Sequence, residues 1–308
     1  MMLVANGEGA PGVSSAVAAL AGGASALDAV EAGIRVVEAD LGVRTVGRGA
    51  WPNILGVVQL DAAMMDGSRL RSGAVGALEA YLHPISVARA VLERLPHEIL
   101  VGAGAARFAR EIGAELADLS TTETRDAWRA MLERQGLSAD SLAEAPEYPL
   151  TRLARQAMDP EYVRDTTVFL ACDKARAIAT GASTSGWAWK YPGRLGDTPI
   201  IGAGSYADSR YGACACTHTG EMAIRAGTAR SVVLYMKMGL SLGEAVDEAA
   251  QDLRALRGGQ LGPVVIHAID ASGAHVVRAV GSTEPVHYWL WHSDDPAPTR
   301  LAAQTDQP

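Results

Sequence analysis

The run Asp165-Thr166-Thr167-Val168-Phe169-Leu170-Ala171-Cys172 opens the second half of the chain. Its apolar and β-branched residues predict a strand over Thr166–Cys172. Further strands are predicted over Ala175–Ala182 and Gly212–Thr217, with turn-rich sequence between them. The run therefore begins a block of strands, and not a regular alternation of strands and helices.

The rest of the chain also groups its helices and strands. One strand is predicted at Leu3–Ala5, a second at Ile54–Asp61, and a closing hairpin turns around Ser272-Gly273. Capping boxes, Ser25 with Asp28 and Ser241 with Glu244, each begin a helix. The other predicted helices cover Ile85–Leu95, Ala103–Ile112, Arg125–Gln135 and Glu221–Met238. This order favours an α+β fold with an antiparallel sheet flanked by helices.

Composition and charge narrow the classes of protein to which the chain can belong. The chain has 308 residues, 48% of them hydrophobic, which is enough for a sizeable core. A net charge of −8 without a basic run argues against nucleic acid or an anionic membrane as a partner. Three cysteines cannot form a disulfide framework, so we expect a reducing, cytoplasmic compartment. No nucleotide-binding or metal-binding motif is present, so we expect neither a cofactor nor a metal.

The middle of the chain differs from both halves. Residues 117–164 are polar and carry prolines and acids without a stable period, apart from the helix predicted at Arg125–Gln135. They are therefore predicted to be mainly a linker, with residues 137–164 as its flexible part.

Threonines, glycines and one Arg/Asp pair cluster after this linker. Taken singly, each short motif is explained by turns and strand residues, and a threonine hydroxyl is a poor nucleophile without a base. A cut between Asp165 and Thr166 makes the set coherent, because the new α-amine, with a pKa of about 8, becomes the base for the Thr166 hydroxyl. Arg194 and Asp197 can then bind the two charged ends of an amino acid.

With these motifs the sequence resembles the asparaginase-type N-terminal nucleophile hydrolases, which include glycosylasparaginases and isoaspartyl peptidase/plant-type asparaginases. The resemblance covers nearly the whole chain and is nearest to the glycosylasparaginase branch in the first half. It rests on Ser25–Glu31, Val46–Gly49, Leu60–Gly67, Val87–Arg89, Asp165-Thr166, Ser183-Thr184, Pro192–Asp197, Gly202–Gly204, Tyr206-Ala207 and Thr217 with Gly220-Glu221.

The resemblance implies a four-layer αββα sandwich made as an inactive precursor. Cleavage between Asp165 and Thr166 would give an α chain, residues 1–165, and a β chain, residues 166–308, which together form one domain. Thr166 is then the nucleophile, Thr184 supports cleavage and orients Thr166, and Thr217 with the next backbone N–H forms the oxyanion hole. Arg194 binds the substrate α-carboxylate and Asp197 its α-ammonium group; Thr167 is a rival nucleophile.

The reaction implied is hydrolysis of an amide on the β-carboxyl group of aspartate, through a threonyl ester. Glycosylasparagine, β-aspartyl peptides and free asparagine are the small-molecule substrates to consider. The resemblance also implies a homo-oligomer, a dimer of αβ units.

Four positions depart from the family pattern around the pocket. Arg164 and Val168 replace a usual histidine and glycine beside the nucleophile, His218 replaces the glycine of the oxyanion pair, and Gly7 takes the place of an early aromatic residue. Trp51 in addition enters a loop where a small residue is usual, so we expect Trp51 and His218 to alter specificity; loop packing is the other explanation for Trp51.

These departures leave two alternatives to the hydrolase. One is a diverged member that acts on a specialised metabolite or transfers the aspartyl group to an acceptor other than water. The other is an uncleaved, non-catalytic homologue that acts as a binding protein.

Overall fold

The computed structural model of the chain describes residues 1–144, 148–156 and 166–306. They form a mixed α/β fold with two sheets. The helices are α1 (Ala10–Ala21), α2 (Ala26–Ala39), α3 (Pro84–Arg94), α4 (Gly102–Glu111), α5 (Thr122–Arg134), α6 (Ala139–Glu144), α7 (Leu150–Gln156), α8 (Gly220–Ala226), α9 (Thr228–Lys237) and α10 (Leu242–Ala255). The strands are β1 (Met2–Asn6), β2 (Leu60–Asp66), β3 (Arg71–Leu78), β4 (Ile99–Val101), β5 (Thr167–Cys172), β6 (Ile178–Thr184), β7 (Ser205–Asp208), β8 (Gly212–His218), β9 (Val264–Asp270), β10 (His275–Val280), β11 (His287–His292), β12 (Thr299–Ala302) and β13 (Gln304–Asp306).

The first sheet has eight strands in the order β12-β11-β1-β5-β6-β2-β3-β4, and the second has five in the order β13-β10-β9-β8-β7. Neighbouring strands are antiparallel except β3 with β4 and β10 with β13, which are parallel. The strand that follows Thr166 therefore lies in the middle of the larger sheet, between β1 and β6.

Three apolar clusters hold the sheets and helices together. The first joins α1 to α4 to the larger sheet and includes Ile34 and Phe169. The second lies between the two sheets and includes Val168 and Ile269. The third joins α8, α9 and α10 to the smaller sheet. Side chains on successive residues of a strand point to opposite faces, so each central strand contributes to two clusters.

Most elements predicted from periodicity and caps are confirmed. Ser25 and Ser241 each accept a hydrogen bond from the backbone N–H three residues later, and the matching acid closes both capping boxes. The hairpin of β9 and β10 is also confirmed, with Asp270 accepting hydrogen bonds from the turn at Ser272.

The strand predicted at Ile54–Asp61 is wrong over most of its length, because β2 begins only at Leu60. The Asn53 carboxamide oxygen accepts from the N–H groups of Leu55 and Val57, and Gly56 has φ +80°. This local hydrogen bonding makes a turn of an apolar run that composition alone assigns to a strand.

The single helix predicted over Glu221–Met238 is two helices, α8 and α9. Gly227 between them has φ +61°, a left-handed conformation that ends the first helix. Apolar residues continue at helical spacing on both sides of this glycine, so the periodicity alone does not show the break.

The helix predicted within the linker segment at Arg125–Gln135 is confirmed as α5. The rest of the described segment also contains the short helices α6 and α7, which the linker prediction did not include. Met131, Leu132, Leu142 and Leu153 from these helices pack into a separate apolar cluster with Trp189. The cleavage-site residue Asp165 and the last part of the predicted linker lie outside the described residues. The described elements that sequence analysis missed are α1, α6, α7, β3, β4, β7, β11, β12 and β13.

Candidate active site

Thr166 lies immediately before β5 and is only 6% exposed. The Asn6 side chain, at the end of β1, donates through Nδ2 to the Thr166 carbonyl at 2.6 Å. Its Oδ1 accepts from the Val168 N–H at 3.0 Å. The Asn6 carboxamide thus continues the β1–β5 ladder past the last backbone pair and fixes the main chain of Thr166.

Thr166 and its rival Thr167 lie on opposite faces of the larger sheet. Val168 packs between the two sheets, whereas Phe169 packs against the helices. By alternation Thr166 shares the face of Val168 and Thr167 that of Phe169. The predicted nucleophile therefore faces the second sheet, and Thr167 faces away from it.

Thr184 lies across from Thr166. β5 pairs with β6 antiparallel with Thr167 opposite Ser183, and extending that register by one residue brings Thr166 opposite Thr184. Residues directly opposite on one face have Cβ atoms about 5 Å apart. The Thr184 hydroxyl also accepts from the Gly186 N–H at 2.9 Å, which fixes its place at the strand end.

Thr217 and His218 end β8 in the second sheet. Thr217 is 2% exposed and shares the inter-sheet face of β8 with Ala215. His218 has φ +81°, a left-handed conformation that favours glycine. The backbone here therefore has the conformation typical of glycine, although the residue carries a side chain. Its Nδ1 lies 3.0 Å from the Thr217 hydroxyl.

Arg194 is held by a carboxylate and an aromatic ring. Its Nε and Nη2 donate to Oε1 of Glu221 at 3.0 and 2.7 Å, and the guanidinium lies 4.5 Å from the ring centre of Trp187. This arrangement fixes the planar guanidinium at the start of α8, with geometry suited to recognising a second carboxylate.

Asp197 is a buried carboxyl group beside this guanidinium, 4% exposed. Burial raises the pKa of Asp197 to about 7, and the charge of Arg194 opposes that rise. A Cβ atom at Gly220 would stand 2.6 Å from the Asp197 carboxylate, so only glycine permits this approach. The predicted binding residues Arg194, Asp197 and Gly220 therefore lie together at the beginning of α8.

Two buried charged residues that sequence analysis missed, Lys190 and Asp61, lie close to Arg194 and Asp197. The Lys190 Nζ donates to the Gln59 carbonyl at 2.9 Å, and burial lowers the pKa of Lys190. Asp61 is fully buried and accepts from the Ala77 N–H at 2.8 Å. Asn6 and Glu221 were also missed as site residues; a polar residue closing the apolar strand at Leu3–Ala5 was the available signal for Asn6.

Trp51 packs against aromatic and apolar side chains. Its ring centre is 5.9 Å from that of Trp189, and it packs on the apolar cluster that contains Ile54 and Met131. Trp189 is two residues beyond Trp187, the residue that stacks on Arg194. The contacts favour loop packing for Trp51, and its effect on substrate specificity stays a prediction.

Within the described ranges, no three histidine, cysteine, aspartate or glutamate side chains are grouped so that they could hold a metal ion. The helices described there also include none that is long and apolar enough to cross a membrane.

Comparison with known proteins identifies the family of the chain. The chain matches the asparaginase family over residues 11–299. It is 40% identical over 230 residues to a plant-type L-asparaginase of Pyrococcus abyssi, covering 74% of this chain and 72% of the relative. It is 38% identical over 232 residues to an N(4)-(β-N-acetylglucosaminyl)-L-asparaginase of Elizabethkingia miricola, covering 75% of this chain and 63% of the relative.

A third relative, a probable isoaspartyl peptidase/L-asparaginase of Drosophila melanogaster, is 35% identical over 250 residues, which cover 80% of this chain and 74% of the relative. Fold, site and relatives define an amidohydrolase. The chain belongs to the asparaginase family that includes the plant-type asparaginases and the glycosylasparaginases.

Proposed function

We propose that the chain activates itself by cleavage between Asp165 and Thr166, and then hydrolyses the β-amide of asparagine-type substrates through a threonyl ester. The observation that carries this is a shared face. Asn6, Thr166, Thr184 and Thr217 all lie at strand ends and, by alternation, face the space between the two sheets.

The proposed chemistry needs a base, an oxyanion site and a clamp for the substrate. After cleavage the free α-amine of Thr166 takes the proton of its own hydroxyl, and Oγ1 attacks the β-carbonyl carbon. The Thr217 hydroxyl and the His218 N–H donate to the oxyanion that forms. The tetrahedral intermediate collapses as the α-ammonium group of Thr166 returns that proton to the leaving nitrogen, so the C–N bond breaks and the amine departs. This leaves a β-aspartyl ester on Thr166, which water hydrolyses to release aspartate.

His218 does not oppose this proposal. The oxyanion donor at that position is a backbone N–H, and φ +81° keeps the backbone in the conformation that glycine adopts most readily. This retained backbone geometry supports a catalytic protein more than an uncleaved binding homologue, which has no need to hold a histidine in a strained conformation.

We also propose the αββα order of layers, which the separate helix–sheet and sheet–sheet apolar clusters support. We also propose a reducing, cytoplasmic compartment, which the three buried cysteines without disulfide bonds support. The dimer of αβ units remains a prediction.

Denaturing mass spectrometry of the incubated protein tests the proposal. We expect two chains, the second beginning at Thr166, and no cleavage in Thr166→Ala. Thr167→Ala is the matched control and should still cleave, because its side chain faces the helices. Activity on asparagine-type amides should fall at least about 10⁴-fold in Thr166→Ala.

An intact wild-type chain, or equal cleavage in wild type and Thr166→Ala, would contradict the proposal. Cleavage lost in Thr167→Ala but kept in Thr166→Ala would assign the nucleophile to Thr167.

A further inference from the structure

Trp187 follows the turn that ends β6, three residues after Thr184. The Thr184 hydroxyl accepts from the Gly186 N–H at 2.9 Å, which fixes the turn just before Trp187. On its other side, the Trp189 N–H donates to the Pro52 carbonyl at 3.0 Å. Hydrogen bonds on both sides of Trp187 therefore set the position of its main chain.

The indole ring of Trp187 covers one face of the Arg194 guanidinium. Cζ of Arg194 lies over the ring, 4.5 Å from its centre. At such a distance a cation is attracted to the electron-rich face of an aromatic ring, and the attraction grows as water is excluded. Because Trp187 is only 8% exposed, water competes little for this contact.

Hydrogen bonding does not account for a tryptophan at this position. The Nε1 atom of Trp187 is buried and has no hydrogen-bond partner among the residues that the structure describes. Buried indole N–H groups usually find a partner, and an unpaired one costs free energy. The contact with Arg194 is made by the ring face, so an aromatic ring without an N–H group can make it too.

Other contacts confine the rest of the guanidinium. Nε and Nη2 of Arg194 donate to Oε1 of Glu221. Nη1 passes close to two glycines, since a Cβ atom would stand 2.8 Å from it at Gly186 and 3.1 Å from it at Gly196. Nη1 makes neither of the bonds to Glu221, so the edge formed by Nη1 and Nη2 can take a second carboxylate.

Trp187 and Glu221 hold the same cation in electrically different ways. The Glu221 carboxylate lies 2.7 Å from Nη2 of Arg194 and partly offsets the positive charge that attracts a substrate carboxylate. The indole ring carries no net charge, so it restrains the guanidinium without adding a repulsion. A side chain restrained before binding loses less conformational entropy when the substrate arrives, which raises affinity.

We propose that Trp187 is a positioning residue for the substrate, acting through Arg194. Its ring holds the guanidinium, before the substrate arrives, in the orientation that binds the α-carboxylate of an L-aspartyl group. This proposal rests on the proposed function, in which Arg194 binds that carboxylate, and it gives Trp187 no contact with the substrate. Preference for an α-carboxylate over a neutral group at the same place then depends on Trp187.

The test compares the binding of L-aspartate and of L-isoasparagine, in which a neutral amide replaces the α-carboxylate, to the cleaved protein by titration calorimetry. We expect wild type to bind L-aspartate tighter by about tenfold or more. Trp187→Leu should weaken L-aspartate binding about tenfold and change isoasparagine binding less than about twofold. Trp187→Phe is the matched control; it keeps an aromatic face and should stay within about threefold of wild type for both ligands.

Kinetics give a second readout that a merely structural role would not move. The α-carboxylate is remote from the reacting amide, so its contact with Arg194 is similar in the ground state and the transition state. Trp187→Leu should therefore raise KM about tenfold and leave kcat within about twofold of wild type, for asparagine and for a β-aspartyl peptide alike. A fall in kcat at unchanged KM would overturn the proposal, because it indicates that the reacting groups themselves are disturbed.

Equal weakening of both ligands in Trp187→Leu would make Trp187 a structural residue and overturn the proposal. Unchanged L-aspartate binding in Trp187→Leu would overturn it too, as would a Trp187→Phe variant that binds as weakly as Trp187→Leu. A cleaved wild type that binds L-aspartate no tighter than isoasparagine would instead contradict the role of Arg194 in the proposed function, and this proposal with it.

Crystal structures of cleaved wild type with and without L-aspartate cover the case in which Trp187→Leu does not fold or cleave. We expect Cζ of Arg194 to remain over the Trp187 ring in both, at the 4.5 Å found here. A guanidinium that leaves the ring to reach the α-carboxylate would overturn the proposal.

Discussion

The proposed amino-acid clamp and a cavity beside Thr217 and His218 are built differently. In the clamp, Arg194 and Asp197 lie beside the partly buried Glu221 at the start of α8, and both belong to the short motif Pro192–Asp197. The walls of the cavity come from distant segments, among them Asn6–Glu8, Gln260–Pro263 and Gly281–His287, and they include Gly7 and His218, which depart from the family pattern. The residues proposed for the clamp are therefore close together in sequence, whereas folding alone brings the cavity walls together.

The largest expected effect sharpens this comparison from the clamp side. Arg194→Ala removes the guanidinium proposed to bind the substrate α-carboxylate, and truncating one partner of a buried charge pair formed on binding costs about 2–5 kcal/mol. We expect kcat/KM to fall about 10²–10³-fold for asparagine and for N-substituted amides alike, measured by steady-state kinetics. A loss confined to one substrate would contradict the proposed role of Arg194, because all these substrates share the amino-acid end.

A smaller effect follows from the pKa of Asp197. Burial raises it to about 7, Arg194 opposes the rise, and the charges of Glu221 and Asp61 add to it. An α-ammonium group binds the ionised carboxylate, so affinity for L-aspartate as an inhibitor should rise about tenfold from pH 6 to pH 8. Succinate, which lacks the ammonium group, is the control and should not show this rise.

The same shift has a consequence for stability. The folded pKa lies above the unfolded value of 3.8, so the folded protein binds the proton more tightly. The contribution of Asp197 to stability is therefore present below about pH 4 and is lost as the pH rises through about 7. Asp197→Asn carries no charge at this position, so it should unfold at a higher temperature than wild type near pH 8, and this difference in Tm should narrow toward low pH. A difference in Tm that does not change with pH would contradict the shift.

The smallest expected effect concerns the backbone conformation of His218, beside Thr217. His218→Gly and His218→Ala both remove the imidazole, but only alanine keeps a Cβ atom at φ +81°. We expect the glycine variant to be more stable than the alanine variant by about 1 kcal/mol, the reverse of the usual order. Chemical denaturation measures this, and an alanine variant of equal or greater stability would show that the backbone there is unstrained.

Local signals account for the elements that sequence analysis predicted well. Ser25 and Ser241 predict the starts of their helices, because a capping box is made within four consecutive residues. Ile54–Asp61 misled because the Asn53 side chain competes with strand pairing, and such a competition is decided by contacts outside the run.

The candidate site divides in the same way. Thr166, Thr184, Arg194, Asp197 and Thr217 could be named from motifs, because each stands in a short stretch with family-like neighbours. Asn6 could not, since its role depends on pairing with a strand 160 residues later in the chain.

The sequence by itself determined the family, the predicted junction at Asp165-Thr166 and the residues proposed for the amino-acid clamp, because these lie in contiguous motifs. Only the tertiary structure decided that Thr166 and not Thr167 faces the second sheet, and that His267 borders a cavity beside Thr217. Which face a strand residue presents, and what stands opposite it, depends on the register and packing of distant segments.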